Sequence, residues 1–148
     1  MIRPATLSDL DSLALLERQS FPDDAFSRKR LKHLVSRAKS VTLVYDEDGI
    51  RGYVLLLFRD DTDAARIYSI CVDRSHRNKG VGKALVGSAE RVAKERGCGR
   101  MTLEVRENSD AAVRFYDRLG FFFVGKLTDY YHPGAHGLRM MKIGRAHV

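Results

Sequence analysis

Val72-Asp73-Arg74-Ser75-His76-Arg77-Asn78-Lys79-Gly80-Val81-Gly82-Lys83-Ala84 links an apolar, strand-like run to a long amphipathic segment. Glycines where a helix begins let backbone N–H groups approach an anion unobstructed, and the helix dipole puts positive charge at the same end. A phosphate group suits such a turn. The spacing excludes two nucleotide motifs. A dinucleotide fingerprint needs glycine at Leu85, and a Walker A needs glycine at Arg77 with Ser or Thr at Ala84. Taken alone, two glycines and some solvated lysines fit a purely structural turn equally well.

Downstream, Val81, Ala84, Leu85, Ala89, Val92 and Ala93 recur at helical spacing from Gly80 to Glu95, and Gly97 and Gly99 offer a stop. Upstream, Ala65 to Val72 reads as a strand. Before it, Val41 to Tyr45 and Ile50 to Phe58 form a hairpin across Asp46-Glu47-Asp48-Gly49. Nearer the N-terminus, a short strand, Ile2 to Arg3, precedes Thr6, a helix cap with Asp9 three residues on. Leu10, Leu13, Ala14 and Leu16 supply the apolar stripe of a helix to about Gln19. Ser27 caps a second helix, Arg28 to Arg37, with Leu31, Leu34 and Val35 among basic residues. Met101 to Arg106 is a strand, Ser109 to Arg118 a short helix ended at Gly120, and Phe121 to Leu127 and Leu138 to Ile143 the last strands. The order β α α β β β α β α β β is an α/β layout around a mixed sheet.

At 148 residues the chain matches one ordinary domain, able to bury roughly 68 to 70% of its unfolded surface. No repeat or linker divides residues 1–143, and Gly144 to Val148 reads as a loose tail. The longest apolar run, Tyr53 to Phe58, is strand-sized and far too short for a membrane span. The N-terminus lacks the basic and apolar regions of a secretory signal, so the expected location is the cytoplasm. Cys71 and Cys98 form no C-x-x-C pair, which argues against a disulfide framework or a cysteine zinc cluster and for two small core residues.

The net charge of +7 favours an anionic ligand without identifying one. Cations gather at Arg28, Lys29, Arg30, Lys32, Arg37 and Lys39, where no acid intervenes, and at Arg74, Arg77, Lys79 and Lys83 around the glycine pair. His132 and His136 flank Pro133-Gly134 too irregularly for zinc, so no metal is expected. No G-x-S-x-G elbow is present, and Cys71 has no histidine partner in sequence.

Arg77, Gly80 and Gly82, as R-x-x-G-x-G after Ile70-Cys71-Val72-Asp73, resemble the acyl-CoA signature of the GNAT acetyltransferase superfamily. Leu103-Glu104-Val105-Arg106, then Asn108, Ala111, Ala112, Phe115-Tyr116 and Leu119-Gly120-Phe121, resemble the second half of that fold. The likeness covers about Ala65 to Phe123. It implies a single-domain α/β GNAT fold, a mixed, mostly antiparallel sheet of six to seven strands flanked by about four helices. Within the superfamily the sequence is most similar to the ribosomal-protein-alanine N-acetyltransferases, through LEVR, Tyr116, the Ser20-Phe21-Pro22 turn and Tyr130-Tyr131. It departs at Arg74, where proline is usual, at Asp129, where asparagine is frequent, and at Phe26, roughly where tryptophan is common.

The resemblance implies acetyl-CoA as co-substrate. Backbone groups of Ile70, Cys71 and Val72 would meet the pantetheine arm, with the Val72 N–H facing the developing oxyanion. Backbone N–H groups across Arg77, Asn78, Lys79, Gly80, Val81, Gly82, Lys83 and Ala84 would hold the pyrophosphate, and Asn108 would bond to pantetheine. Tyr116 occupies the position that protonates the coenzyme sulfur; periodicity alone favours a buried tyrosine anchoring a short helix. The position of Glu104 is that of the general base, acting directly or through water. On a strand, Thr102, Glu104 and Arg106 share one face and Met101, Leu103 and Val105 the other. A buried carboxylate there faces either a wet cleft or a cation such as Arg106.

The acceptor follows less directly. A protein α-amine titrates near ~8 and a lysine near ~10.4, so freeing a lysine amine costs roughly 3 kcal/mol more at fixed pH. A single carboxylate therefore suits a protein N-terminus, with Phe26 and the loop residues Tyr130 and Tyr131 against it. The expected partners are acetyl-CoA and a protein N-terminus or other primary amine, among them acidic or ribosome-associated protein substrates guided by the basic helix. No membrane partner is expected. The alternatives are a lysine or small-molecule acetyltransferase, and a non-catalytic acyl-CoA-binding or nucleic-acid-binding module.

Overall fold

The computed structural model describes residues 1–144. Strands β1 (Ile2–Pro4), β2 (Ser40–Asp46), β3 (Ile50–Phe58), β4 (Ala64–Val72), β5 (Arg100–Arg106), β6 (Phe122–His132) and β7 (Ala135–Ile143) alternate with α1 (Leu10–Ser20), α2 (Arg28–Ser36), α3 (Val81–Glu95) and α4 (Asp110–Arg118). The strand order is β1-β2-β3-β4-β5-β7-β6. The β1–β2, β2–β3, β5–β7 and β6–β7 pairs are antiparallel, and β4 pairs with β5 in parallel. The element order expected from the sequence is the one found.

The chain divides into two compact units, Met1–Phe58 with Ile67–Val92, and Arg59–Arg66 with the described residues from Ala93 onward. In the first, Leu10, Leu13, Leu31, Leu34, Val44, Tyr53 and Leu55 form the core. Each fully buried side chain of this size contributes roughly 1.5–3 kcal/mol relative to exposure. The first helical segment opens as a 3-10 turn, Leu7–Asp9, before α1. The Asp9 carboxylate accepts the Thr6 N–H at 2.8 Å, closing one side of the expected cap. The Ser27 hydroxyl accepts the Arg30 N–H at 3.1 Å and starts α2.

In the second unit, the expected face Met101, Leu103 and Val105 is buried, together with Tyr116, Phe121 and Met140. β4 meets β5 over Ala64–Arg66 against Arg100–Thr102. One sequence expectation fails here. Tyr130 and Tyr131 lie on β6, because the β6–β7 hairpin turns tightly at Pro133-Gly134, with Gly134 at φ 81°. Gly144 donates its N–H to the Gly99 carbonyl at 2.8 Å. The rest of the expected tail, residues 145–148, lies outside the described residues.

Candidate functional site

The glycine turn belongs to the first unit. Its start is pinned where the Asp73 N–H donates to the Arg51 carbonyl at 2.7 Å. The Asp73 carboxylate accepts the Ser75 hydroxyl at 2.8 Å and lies 3.2 Å from His76 Nδ1. These contacts, Ser75 first, hold Asp73 below the usual carboxylate range. Arg77 folds back, its Nε–H donating to the Val72 carbonyl at 3.2 Å. Asn78 at φ 62° and Gly80 at φ 83° then reverse the chain.

Val81 anchors the start of α3 at 4% exposure, and the Ala84 N–H is taken by the Gly80 carbonyl at 3.0 Å. The N–H groups of Val81, Gly82 and Lys83 therefore precede the first intrahelical bond. Arg77, Asn78, Lys79, Gly80, Lys83 and Ala84 are exposed around them. Three donors at a helix start ringed by cations fit a pyrophosphate. Gly52 seats this helix. A Cβ there would lie 2.9 Å from the Cys71 carbonyl, 3.1 Å from Leu85 and 3.3 Å from Val81.

Sequence reasoning missed Glu17, which is 1% exposed on α1. Its Oε1 accepts the Tyr53 hydroxyl, the Ser69 hydroxyl at 3.0 Å and the Cys71 thiol at 3.7 Å; Oε2 accepts the Phe26 N–H at 3.4 Å. The signal was available, since Glu17 continues the stripe of Leu10, Leu13 and Ala14. Burial and then the Glu17 charge push the Cys71 thiol up to about 12, so Cys71 is an inert core residue on β4 between the half-buried Ile70 and Val72. Phe26 stacks flat on Tyr68, with centroids 5.6 Å apart.

In the second unit Glu104 is half-buried as a residue, its side chain only 5% exposed. Arg66 Nη2 lies 2.5 Å from Oε1, and Arg139 Nε lies 3.9 Å from Oε2. Arg66 also donates to the Tyr130 hydroxyl at 2.9 Å, and that hydroxyl donates to Glu104 Oε1 at 3.3 Å. The cations facing Glu104 are thus Arg66 and, at longer range, Arg139. Arg106, the candidate named from sequence, sits over the Tyr131 ring at 4.3 Å from its centroid.

The tyrosine pair is carried by a bulge. The register jumps from Leu127 opposite Gly137 to His132 opposite Ala135, and Asp129 adopts φ 54°. The Asp129 N–H donates to His136 Nδ1 at 2.9 Å, and its carboxylate accepts the Gly134 N–H at 2.9 Å. Gly137 makes room beneath, since a Cβ there would lie 3.2 Å from Tyr130 and 3.3 Å from Tyr131. Burial, then neighbouring Tyr130, raises the Tyr131 phenol above its ordinary value. Tyr116 is 6% exposed and packs edge-on against Phe115 and Phe121 at 5.0 and 5.5 Å. Asn108 is exposed in the turn between β5 and α4. No group of three metal-binding side chains occurs among the described residues.

Residues 7–121 match the sequence profile of the Acetyltransferase (GNAT) family. The chain belongs to the GNAT acetyltransferases. GNAT enzymes use acetyl-CoA as co-substrate, so this chain is an acetyl-CoA-dependent N-acetyltransferase. It is 31% identical, over 95% of its length and 84% of the relative, to the N-terminal acetyltransferase A complex catalytic subunit ard1 of Schizosaccharomyces pombe. It is 33% identical, over 81% of its length and 67% of the relative, to streptothricin acetyltransferase of Streptomyces lavendulae. The GNAT fold also superposes on the crystal structure of the ribosomal-protein-S18-alanine N-acetyltransferase from Escherichia coli. That comparison has a TM-score of 0.86 and 22% identity, covering 99% of this chain and 96% of that one. No helix among the described residues is long and apolar enough to cross a membrane.

Proposed function

We propose that this GNAT enzyme acetylates the N-terminal α-amine of a protein, of the ribosomal-protein-alanine kind, by direct attack in a ternary complex. The observation that carries the reading is Glu104: a carboxylate, its side chain 5% exposed, whose Oε1 is engaged by Arg66 and Tyr130 and whose Oε2 has only the longer contact to Arg139, 3.9 Å, to compete with a proton. A lone carboxylate is better matched to an amine titrating near ~8 than to one near ~10.4. The 31% identity to an N-terminal acetyltransferase subunit supports the same acceptor class.

In this mechanism the N–H groups at the start of α3, within the Arg77 to Ala84 turn, hold the pyrophosphate. Backbone groups of Ile70, Cys71 and Val72, with Asn108, hold the pantetheine. Glu104, directly or through a water, removes the amine proton as nitrogen bonds to the acetyl carbon, and the Val72 N–H stabilises negative charge on the carbonyl oxygen. Tyr116 gives its phenolic proton to the sulfur as the C–S bond breaks. Phe26, Tyr130 and Tyr131 receive the acceptor, and residues 1–143 make up the catalytic domain.

The 33% identity to streptothricin acetyltransferase favours a second reading, a small-molecule amine as acceptor. Thiol release measured with N-terminal peptides, lysine peptides, polyamines and streptothricin separates the two. Turnover greatest with free peptide N-termini supports the proposal. Turnover confined to lysine or small amines overturns the acceptor, and no turnover with any amine despite coenzyme binding overturns catalysis.

A further inference from the structure

Helix α2 carries a charge pattern to which the mechanism above gives no role. Leu31 and Leu34 are fully buried and Val35 is half-buried. The opposite face presents Lys29, Lys32, His33, Ser36 and Arg37, which together line a groove of about 350 Å³. Lys29, Lys32, His33 and Ser36 fall at i, i+3, i+4 and i+7, one helical stripe, and Arg37 follows at the extended C-cap. No acid occurs from Ser27 to Lys39, and the nearest carboxylates in sequence, Asp23 and Asp24, precede the helix cap. Arg28 is neutralised by Asp11 at 2.7 Å. Among the described residues, no ion pair or hydrogen bond engages the side chains of Lys29, Lys32 or Arg37.

Three uncompensated cations in a row repel one another, and an anion of matching repeat relieves that repulsion. Two kinds of polyanion are available, an acidic protein surface and a nucleic-acid backbone. A protein interface needs an apolar or aromatic centre within its charged rim, and lysine is depleted there. This stripe has two lysines and no large exposed apolar side chain. A phosphate backbone needs only cations within reach of successive phosphates, and Lys29 and Lys32 on the helix with Arg37 at its C-cap supply three.

We propose that the Lys29, Lys32 and Arg37 face of α2 binds the phosphodiester backbone of a nucleic acid without reading its sequence. This surface is independent of the acceptor reading. Three phosphate contacts on a B-form duplex give a log–log salt slope of about −2.7, which is about a 40-fold loss of affinity between 50 and 200 mM salt.

The test is fluorescence anisotropy of the full chain with an RNA duplex, a DNA duplex of the same sequence and length, and poly-glutamate, over a salt series. The K29A/K32A/R37A triple variant is compared with a control of equal charge loss, R91A/K94A/R118A. The expected result is duplex binding whose slope falls by about 2 to 3 in the first variant and not in the control. Equal binding of RNA and DNA supports phosphate recognition in general, and preference for RNA assigns it to an A-form backbone. An unchanged circular-dichroism melting curve of K29A/K32A/R37A establishes that the variant is folded. Absence of duplex binding, equal weakening in the control, or poly-glutamate binding as tight as the duplexes overturns the proposal.

Discussion

Arg66 on β4 and Glu104 on β5 form the shortest ion pair of the second unit's polar cluster, with Nη2 2.5 Å from Oε1. The pairing has two consequences. It supplies the countercharge without which a carboxylate 5% exposed would be costly to bury, and it occupies Oε1, so that Oε2 is left with the longer Arg139 contact at 3.9 Å. Replacing Glu104 by glutamine keeps the shape and removes the basicity. Turnover should fall roughly 100- to 10,000-fold, while coenzyme affinity by calorimetry stays unchanged. Arg66→Met should lower the melting temperature, and adding Glu104→Gln should recover part of that loss.

Gly52 makes a steric prediction. Alanine there places a Cβ 2.9 Å from the Cys71 carbonyl, against backbone that cannot rotate away, and close to Val81 and Leu85. The start of α3 must shift. Gly52→Ala should cost about 1–3 kcal/mol of stability in urea, and it should weaken coenzyme binding more than acceptor binding.

Much of this arrangement is legible in the amino-acid order. The stripe from Val81 to Ala93 gives α3, and the buried face of Met101, Leu103 and Val105 gives the orientation of Glu104. Pairings between distant strands are not written locally. Arg66 is 38 residues from Glu104 in sequence, and only the parallel register of β4 with β5 brings them to one cluster. The tyrosine pair reads as a loop because Asp129, Pro133 and Gly134 are turn formers; here they build a bulge and a hairpin bend within paired strands. Glu17 was visible as a carboxylate on an apolar stripe. What it binds depends on Tyr53, Ser69 and Phe26, and spacing does not reveal those partners.

Cys71, with its thiol at about 12, carries about one thiolate in ten thousand at pH 8. Iodoacetamide should leave it unmodified in the folded chain, with peptide mass spectrometry as the measurement. Half-buried Cys98, raised less far, should react first.

Asp9 should set one feature of acid stability. Arg3 donates to both of its oxygens, at 2.9 and 3.0 Å, and holds it at about 2 against an ordinary value of 3.8. The folded value lies below the unfolded one, so the contribution is full above pH 3.8 and disappears as the pH falls toward 2. With solvent screening it is on the order of 1 kcal/mol. Asp9→Asn should therefore lower stability at neutral pH and flatten the acid limb of a denaturation series.

The most direct measurement uses one peptide bearing both a free N-terminus and an internal lysine, incubated with the chain and acetyl-CoA and then fragmented in a mass spectrometer. Acetyl on the terminal nitrogen alone, abolished by Tyr116→Phe in an enzyme that still binds the coenzyme, is the predicted result. Acetyl on the lysine nitrogen, or full transfer by the Tyr116→Phe enzyme, would contradict it.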